Sequence, residues 1–325
     1  MKNKLYTINE VTEFINAGKL LSLAGDERVL SKLPKGNWIG GTTPYFMDAK
    51  KGQFNQELIF VNNLLEEHQS YKIESYTSNK VNNIVSDTFS NGYSLVIIPP
   101  FTDIHQEYAI KIPNNENLFN NPIIGWIAGI DLNSTDICKT FNGQTGEVFT
   151  DRAVTIHIEL SDDKIARLEI INIFDQSTED VELEFSEDGF SCKTCFINGK
   201  ETNFAEYIEA NNIDIKLPLI SDYSGALINV SFQSIEDGTV NFYAPVFKGT
   251  KYKFAQSMPN YVSSFDTRTQ DVNDDLEFSS NCILNYLYGE LEGKKIKNVT
   301  GPITFGEIGY MLLNQTLTFL YIENK

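Results

Sequence analysis

The sequence predicts a mixed α/β fold, of the α+β kind, with largely antiparallel sheets covered by helices. Three observations carry this. YSLVIIPP (93–100) and PIIGWIAGID (122–131) are short apolar runs edged by glycine and proline, the pattern of strands buried on both faces. Beyond about residue 140, FNGQTGEVFTDRAVTIHIEL (141–160) and IARLEIINIF (165–174) alternate like antiparallel strands. Short amphipathic stretches of helical period lie between such runs.

In chain order, Thr7-Ile8-Asn9-Glu10 is a capping box that opens a helix carrying Val11, Phe14 and Ile15. LLSLAG (20–25) reads as a short strand, and DERVLSKL (26–33) as a helix stopped by Pro34 and Gly36. NWIGGTTPYFM (37–47) is a strand running into a small-residue turn. ELIFVNNLL (57–65) and YKIESYT (71–77) are two further strands. Ser78 then caps a helix with Val81, Ile84, Val85 and Phe89 inward. CKTCFINGKETNFAEYIEANN (192–212) is a strand, an Asn-Gly turn and an amphipathic helix on Phe204, Tyr207 and Ile208. ALINVSFQSIEDGTVNFYAPVF (226–247) is a hairpin turning at Asp237-Gly238, and LEFSSNCILNYLYGEL (276–291) a strand, a polar break and a short helix. The pattern divides the chain into domains 1–162 and 163–325, with no exact repeat and no low-complexity tract.

A length of 325 residues, 41% of them apolar, is enough for a packed core. A formal charge of −18 with no Lys/Arg cluster argues against a nucleic-acid partner. The N-terminus lacks an apolar stretch of signal-peptide length, and no run approaches the ~18–20 apolar residues of a membrane span. Cys138, Cys192, Cys195 and Cys282 make no dense disulfide framework. The expectation is a cytoplasmic chain with reduced thiols and no membrane partner.

Motifs of known chemistry are sparse. Cys192-Lys193-Thr194-Cys195 is a CxxC pair. A zinc site needs a second pair or added histidines, and a redox pair sits at a helix N-terminus, whereas this one lies in strand sequence. His68, His105 and His157 form no metal-spaced cluster, although a single histidine could be an axial haem ligand. GGTTP (40–44) could offer backbone N–H groups to an anion but lacks the Lys-Ser/Thr of a P-loop; a tight turn is the simpler reading. No nucleophile elbow and no HExxH occurs.

The closing GPITFGEIGYMLLNQTLTFLYI (301–322) reads, on spacing alone, as a capped helix feeding a last strand. Thr304 would be the N-cap, with Glu307 reaching back to its amide. Phe305, Ile308 and Leu312 would share a face, Asn314 would stop the helix, and residues 315–322 would form a central strand. Gly306 and Gly309 would each cost such a helix about 1 kcal/mol relative to alanine. Something must therefore approach the backbone there, either a neighbouring strand or a ligand.

The same closing stretch resembles the end of the C-terminal FIST domain, a sensory module of bacterial signalling proteins also found in eukaryotic F-box proteins. Ile303-Thr304-Phe305-Gly306-Glu307-Ile308 stands where that family has a Gly-aromatic-Thr-Tyr-Gly-Glu-Ile block, and Asn314-Gln315-Thr316 where it has a His-Asn-x-Thr turn. FSSNC (278–282) is similar to its strand ending near a cysteine, VNFYAPVFKGTKYKF (240–254) to a strand pair, and CFINGKETNFAEYIEAN (195–211) to a strand, turn and helix. NWIGGTTPYF, and NPIIGWIAGIDLNS with QTGEVFTDRAVTIHIEL, resemble parts of the N-terminal FIST domain, so the likeness runs in order along nearly the whole chain. Two departures stand out. Leu284 and Asn285 lie where the family has arginine, and Leu313 where it has histidine.

The resemblance implies two FIST-like halves in a stand-alone, non-catalytic sensory protein that binds a small molecule in a pocket between them and either signals to a protein partner in trans or does not signal at all. The walls would come from Trp38, Gly41, Thr42 and Tyr45, from Gly125 and Trp126, and from Asn281 and Cys282. Thr304, Gly306, Glu307 and Asn314 would complete them. Glu307 either holds the ligand or caps its helix. Two other readings stay open. One is a haem-binding gas sensor, since some FIST proteins bind haem. The other is an enzyme with Cys282 or Thr42 as nucleophile and Glu307 or a histidine as base.

Overall fold

The capping box at Thr7 forms as its spacing implies. The Glu10 amide donates to Thr7 Oγ1, and Glu10 Oε2 accepts from the Thr7 amide at 2.8 Å. The helix it opens, Ile8–Asn16, buries Val11 and Ile15. The computed structural model describes residues 3–64, 68–223, 225–258, 260–270, 272, 276–297 and 299–325. Within them the fold is mixed α/β and rich in strand.

Three six-stranded sheets share one plan. Each has a parallel pair at its centre, two antiparallel strands on one side and an antiparallel hairpin on the other. In the first sheet the parallel pair is Leu21–Gly25 and Trp38–Thr42, flanked by Ile59–Asn63 and Lys4–Tyr6. In the second it is Gly92–Ile98 and Ile123–Ile127, flanked by Ala153–Glu159 and Ser70–Tyr76. In the third it is Phe278–Cys282 and Gly301–Thr304, flanked by Thr316–Asn324 and Lys164–Asn172. A helix crosses between the parallel strands each time: Glu27–Leu30, Asp103–Lys111 and Ile283–Tyr288.

The hairpins are exchanged in a circle. Tyr45–Met47 and Gly52–Phe54, from the first block of chain, complete the third sheet. Thr140–Asn142 and Glu147–Phe149, from the second block, complete the first. Glu307–Gly309 and Met311–Leu313, from the third, complete the second. The boundary expected at 162–163 falls in the turn between Ala153–Glu159 and Lys164–Asn172, and two of the exchanged hairpins cross it. The third block also carries an insertion of three small three-stranded sheets around a core of its own, including Phe185, Phe204 and Phe242.

The closing segment departs from its spacing. Residues 304–314 form no helix but the hairpin Glu307–Gly309 and Met311–Leu313, turning at Tyr310 with φ 62°. Thr304 caps nothing; its hydroxyl donates to Asn281 O and Gly306 O. Pairing with the buried strand Ile123–Ile127 outweighs a weak local helix signal already burdened by two glycines. The last strand is central as expected, although it runs Thr316–Asn324. Of the strand expected over 57–65, Ile59–Asn63 is formed, and Leu65 lies outside the described residues. The turns at Asn198-Gly199 and Asp237-Gly238 adopt the positive φ that such pairs favour.

The first and second sheets meet where Gly41 lies under Trp126. A Cβ at Gly41 would stand 2.6 Å from both Ile97 Cγ2 and Trp126 Cη2. Gly41→Ala is expected to cost about 1–3 kcal/mol through overpacking. It should appear as a lower urea midpoint at unchanged m-value; an unchanged midpoint would show that this contact between sheets is loose.

Candidate functional site

Glu307 sits between two strands of the second sheet, opposite Trp126 on one side and Leu313 on the other. The position leaves it no solvent exposure. Its Oε2 accepts from the Thr316 amide at 3.2 Å and from the Thr316 hydroxyl at 2.8 Å. Burial pushes its carboxyl up to about 8, against the pull of those two bonds. At neutral pH it is therefore a neutral acid. Oε2 is already an acceptor twice over, so the acid proton belongs on Oε1, which is buried without a nitrogen or oxygen partner, while the Cys282 thiol stands within hydrogen-bonding reach of the carboxyl.

Cys282 ends the strand Phe278–Cys282 and stands at the N-cap of the helix Ile283–Tyr288. Burial raises its thiol well above the ordinary range, and the adjacent Glu307 carboxyl raises it further, against backbone N–H groups of Gln315 and Leu284. In the first turn of that helix, Asn285 Nδ2 donates to Asn281 Oδ1 at 2.9 Å and to Thr316 O at 3.2 Å. Those bonds fix the orientation of both amides and leave Asn285 Oδ1 and Asn281 Nδ2 without partners. Asn314 Oδ1 is likewise buried and unpaired. The turn at 314–315 is held by the insertion. Asn229 Nδ2 donates to Asn314 O and Gln315 O, and Ser231 Oγ donates to Gln315 Oε1 at 2.6 Å.

Hydrogen bonds and strand pairing thus bring together Asn281, Cys282, Thr304, Gly306 and Glu307, with Trp126 as the cross-strand neighbour of Glu307 and Asn314 next in the chain to Leu313, its other cross-strand neighbour. Trp126 Nε1 is also buried without a partner. Gly125 lies beside Trp126, opposite Ile308 and Val96. Gly306 is small for packing: a Cβ there would stand 3.2 Å from Ile127 Cγ1 and 3.3 Å from Leu313 O. The close approach at this glycine is therefore that of a neighbouring strand. Trp38 and Thr42 lie elsewhere, and Tyr45 reaches the cluster only through the core it shares with Cys282, as the cross-strand partner of Ile303. Trp38 stacks on Phe141 in a separate core cluster and donates Nε1–H to Pro34 O. Tyr45 packs on Tyr286 and accepts from the Leu132 amide. Thr42 Oγ1 accepts from the Lys139 amide and lines a surface crevice of about 290 Å³ beside Asp26, Asp131 and Asp136.

Asn285 and Thr316 are central to this cluster and were missed as candidates. Each looks ordinary in sequence; they matter because the first turn of the helix faces the last strand. His157 is engaged at both ring nitrogens, by Tyr76 OH at 2.8 Å and Ser94 Oγ at 2.7 Å. His68 lies edge-on to Tyr71. Cys192 and Cys195 lie on strands of different small sheets, and burial pushes both thiols up to about 12. Among the described residues, no group of three or more His, Cys, Asp or Glu side chains is placed to hold a metal ion, and no helix is long and apolar enough to cross a membrane.

Comparison with known proteins assigns the chain to a family. It belongs to a family of unknown function (DUF6976), which matches residues 6–323. No curated protein matches the chain.

The raised Glu307 carboxyl has a signed consequence. Between 4.5, its ordinary value, and about 8, the folded protein holds a proton that the unfolded chain has lost, so its contribution to stability is lost as pH rises through that window. His157, pushed down from 6.5 to about 3, works the other way, and its contribution is lost only as pH falls below 6.5. Above 6.5 the Glu307 effect stands alone of the two. Urea titrations should show stability falling by up to about 1.4 kcal/mol per pH unit between neutrality and the Glu307 transition. That slope should vanish in Glu307→Gln; equal slopes in both proteins would mean that Glu307 is ionised in the fold.

Proposed function

We propose that this member of the DUF6976 family is a non-catalytic, small-ligand-binding protein of sensory type, in keeping with its resemblance to FIST domains. It would act in the cytoplasm and pass its signal to a protein partner in trans. The observation that carries the reading is the set of unpaired, buried polar atoms around Glu307: its Oε1, Asn281 Nδ2, Asn285 Oδ1 and Asn314 Oδ1. A buried polar atom without a partner costs about 1–3 kcal/mol. Three of the four belong to residues joined by hydrogen bonds through Thr316 and Asn285, Asn314 lies two residues before Thr316 in the chain, and a bound ligand would satisfy them. With Glu307 neutral, the set offers two donors and two acceptors and no net charge. That suits a small, uncharged ligand carrying both kinds of group, such as an amide.

The enzyme reading meets a physical obstacle. A nucleophilic cysteine needs a lowered pKa, supplied by a cation, a histidine or a helix dipole. Here an acidic neighbour and complete burial push the Cys282 thiol upward instead. The haem reading cannot use His157, which is occupied at both nitrogens. The cavity beside His105 measures about 200 Å³, below the ~300–1,000 Å³ of drug-sized sites and small for a porphyrin.

Native mass spectrometry of mildly purified protein tests the proposal. A co-purifying small organic molecule is expected on the wild type and should be lost from both Glu307→Gln and Asn285→Leu. If the wild type carries no such molecule and Glu307→Met is more stable than the parent, the cluster is a buried structural acid and the proposal fails.

A further inference from the structure

A second cavity lies outside this site, between the start of the helix Asp103–Lys111 and the inserted sheet of Gly189–Cys192, Thr239–Val246 and Phe232–Glu236. Its volume is about 200 Å³; an apolar cavity of about 150 Å³ holds benzene. Its walls are aromatic: Phe101, His105, Phe190, Phe242 and Tyr243. Gln106, Ser191, Gln233 and Asn241 supply amide and hydroxyl groups at the same place. Not one of these side chains is an acid, a lysine or an arginine, in a chain with 44 acidic residues and a net charge of −18.

Two features of the walls are costly for a merely structural surface. Phe101 is 65% exposed and held at φ 58°, a conformation that bulky side chains avoid. The turn that holds it is tied on both sides, since the Thr102 hydroxyl donates to Pro99 O and accepts from the His105 amide. His105 is buried, with the Phe101 ring edge-on to it at a centroid distance of 6.5 Å and the Phe190 ring tilted against it at 5.8 Å. Burial pushes its imidazole down to about 4, so it is neutral and presents one donor and one acceptor.

We propose that this cavity is a second binding site, for a neutral planar heteroaromatic ring of single nucleobase size. The Phe101 and Phe190 rings would pack against it. Gln106, Gln233 and Asn241 would meet its donor and acceptor edges, as amides meet such edges elsewhere. A charged ring is disfavoured because entering would strip its hydration with no opposite charge to replace it. The site does not depend on the cluster around Glu307.

Saturation-transfer NMR on the full chain tests it, with adenine and uracil as neutral probes and benzoate as the charged control. At least one base should bind in the millimolar range or tighter, and benzoate should bind more weakly. Phe190→Ala should weaken base binding by at least about fivefold, the low end for loss of a stacking ring. Phe101→Gly is the sharper variant. It relieves the strained φ, so melting temperature should hold or rise while base binding falls. Glu307→Gln should leave base binding unchanged, which separates this site from the first. Failure of both bases to bind, equal binding of benzoate, or unaltered binding in Phe101→Gly and Phe190→Ala would each overturn the proposal.

Discussion

The structure depends on one meeting point, where the ends of three parallel strand pairs bond to one another. Thr42 O accepts from the Gly129 amide at 2.6 Å, and Thr43 Oγ1 donates to Ile303 O at 2.6 Å. Ile127 closes the circle, donating to Gly306 O at 2.8 Å and accepting from the Phe305 amide at 3.0 Å. Each contact joins a different pair of sheets. Phe305 packs against three of the core clusters at once. Gly129 has to be glycine, since a Cβ there would stand 2.7 Å from the Phe305 ring. The exchanged hairpins follow directly from these ends, so no sheet is completed by its own block of chain. Glu307 comes two residues after Phe305, and its burial between strands is a consequence of that exchange.

Two buried polar systems on this frame behave differently, and the contrast gives the site its meaning. Around His157 the chain of bonds is directed. Tyr76 OH donates to Asp87, so His157 Nε2–H must donate to Tyr76, and Ser94 must donate to Nδ1. Both ring nitrogens and all three hydroxyl and carboxyl partners are engaged, and the group asks for nothing further. Around Glu307 the bonds are equally definite but incomplete. A fold able to satisfy one buried network fully has left donors and acceptors unmatched in the other.

Much of this was legible in the sequence, and the failures have physical reasons. Local signals backed by tertiary burial came through: the box at Thr7, the strands around 93–98 and 123–127, and the Asn198-Gly199 and Asp237-Gly238 turns. Thr304-Phe305-Gly306-Glu307 carries the same Thr-x-x-Glu pattern as Thr7-Ile8-Asn9-Glu10 yet forms strand. The difference was present in its two glycines, which weaken a helix and permit close strand packing. The threefold plan was invisible because the three blocks share strand directions and few side chains: Thr42, Ile127 and Thr304 hold corresponding places in the three parallel pairs. For the site, the polar residues near the chain end could be picked out singly. The resemblance places Trp38, Thr42 and Tyr45 beside them, but Trp38 packs in another core cluster, Thr42 lines a surface crevice, and Tyr45 meets the site only through the core it shares with Cys282.

The insertion links the two candidate sites. Through Ala226–Val230 and the residues just beyond, it supplies Asn229 and Ser231, which hold the turn at 314–315 against Cys282 and Glu307. Through Thr239–Val246 it supplies Asn241, Phe242 and Tyr243 to the aromatic cavity. Tyr243 also packs against the core cluster that contains Cys282. The insertion has its own hydrophobic core, so the walls it supplies are set by its own packing, whereas the three large sheets are tied by exchanged hairpins. The two candidate sites thus share a scaffold but not a wall: Asn229 and Ser231 serve the first and Asn241, Phe242 and Tyr243 the second, which is why a change at Glu307 leaves the aromatic cavity alone.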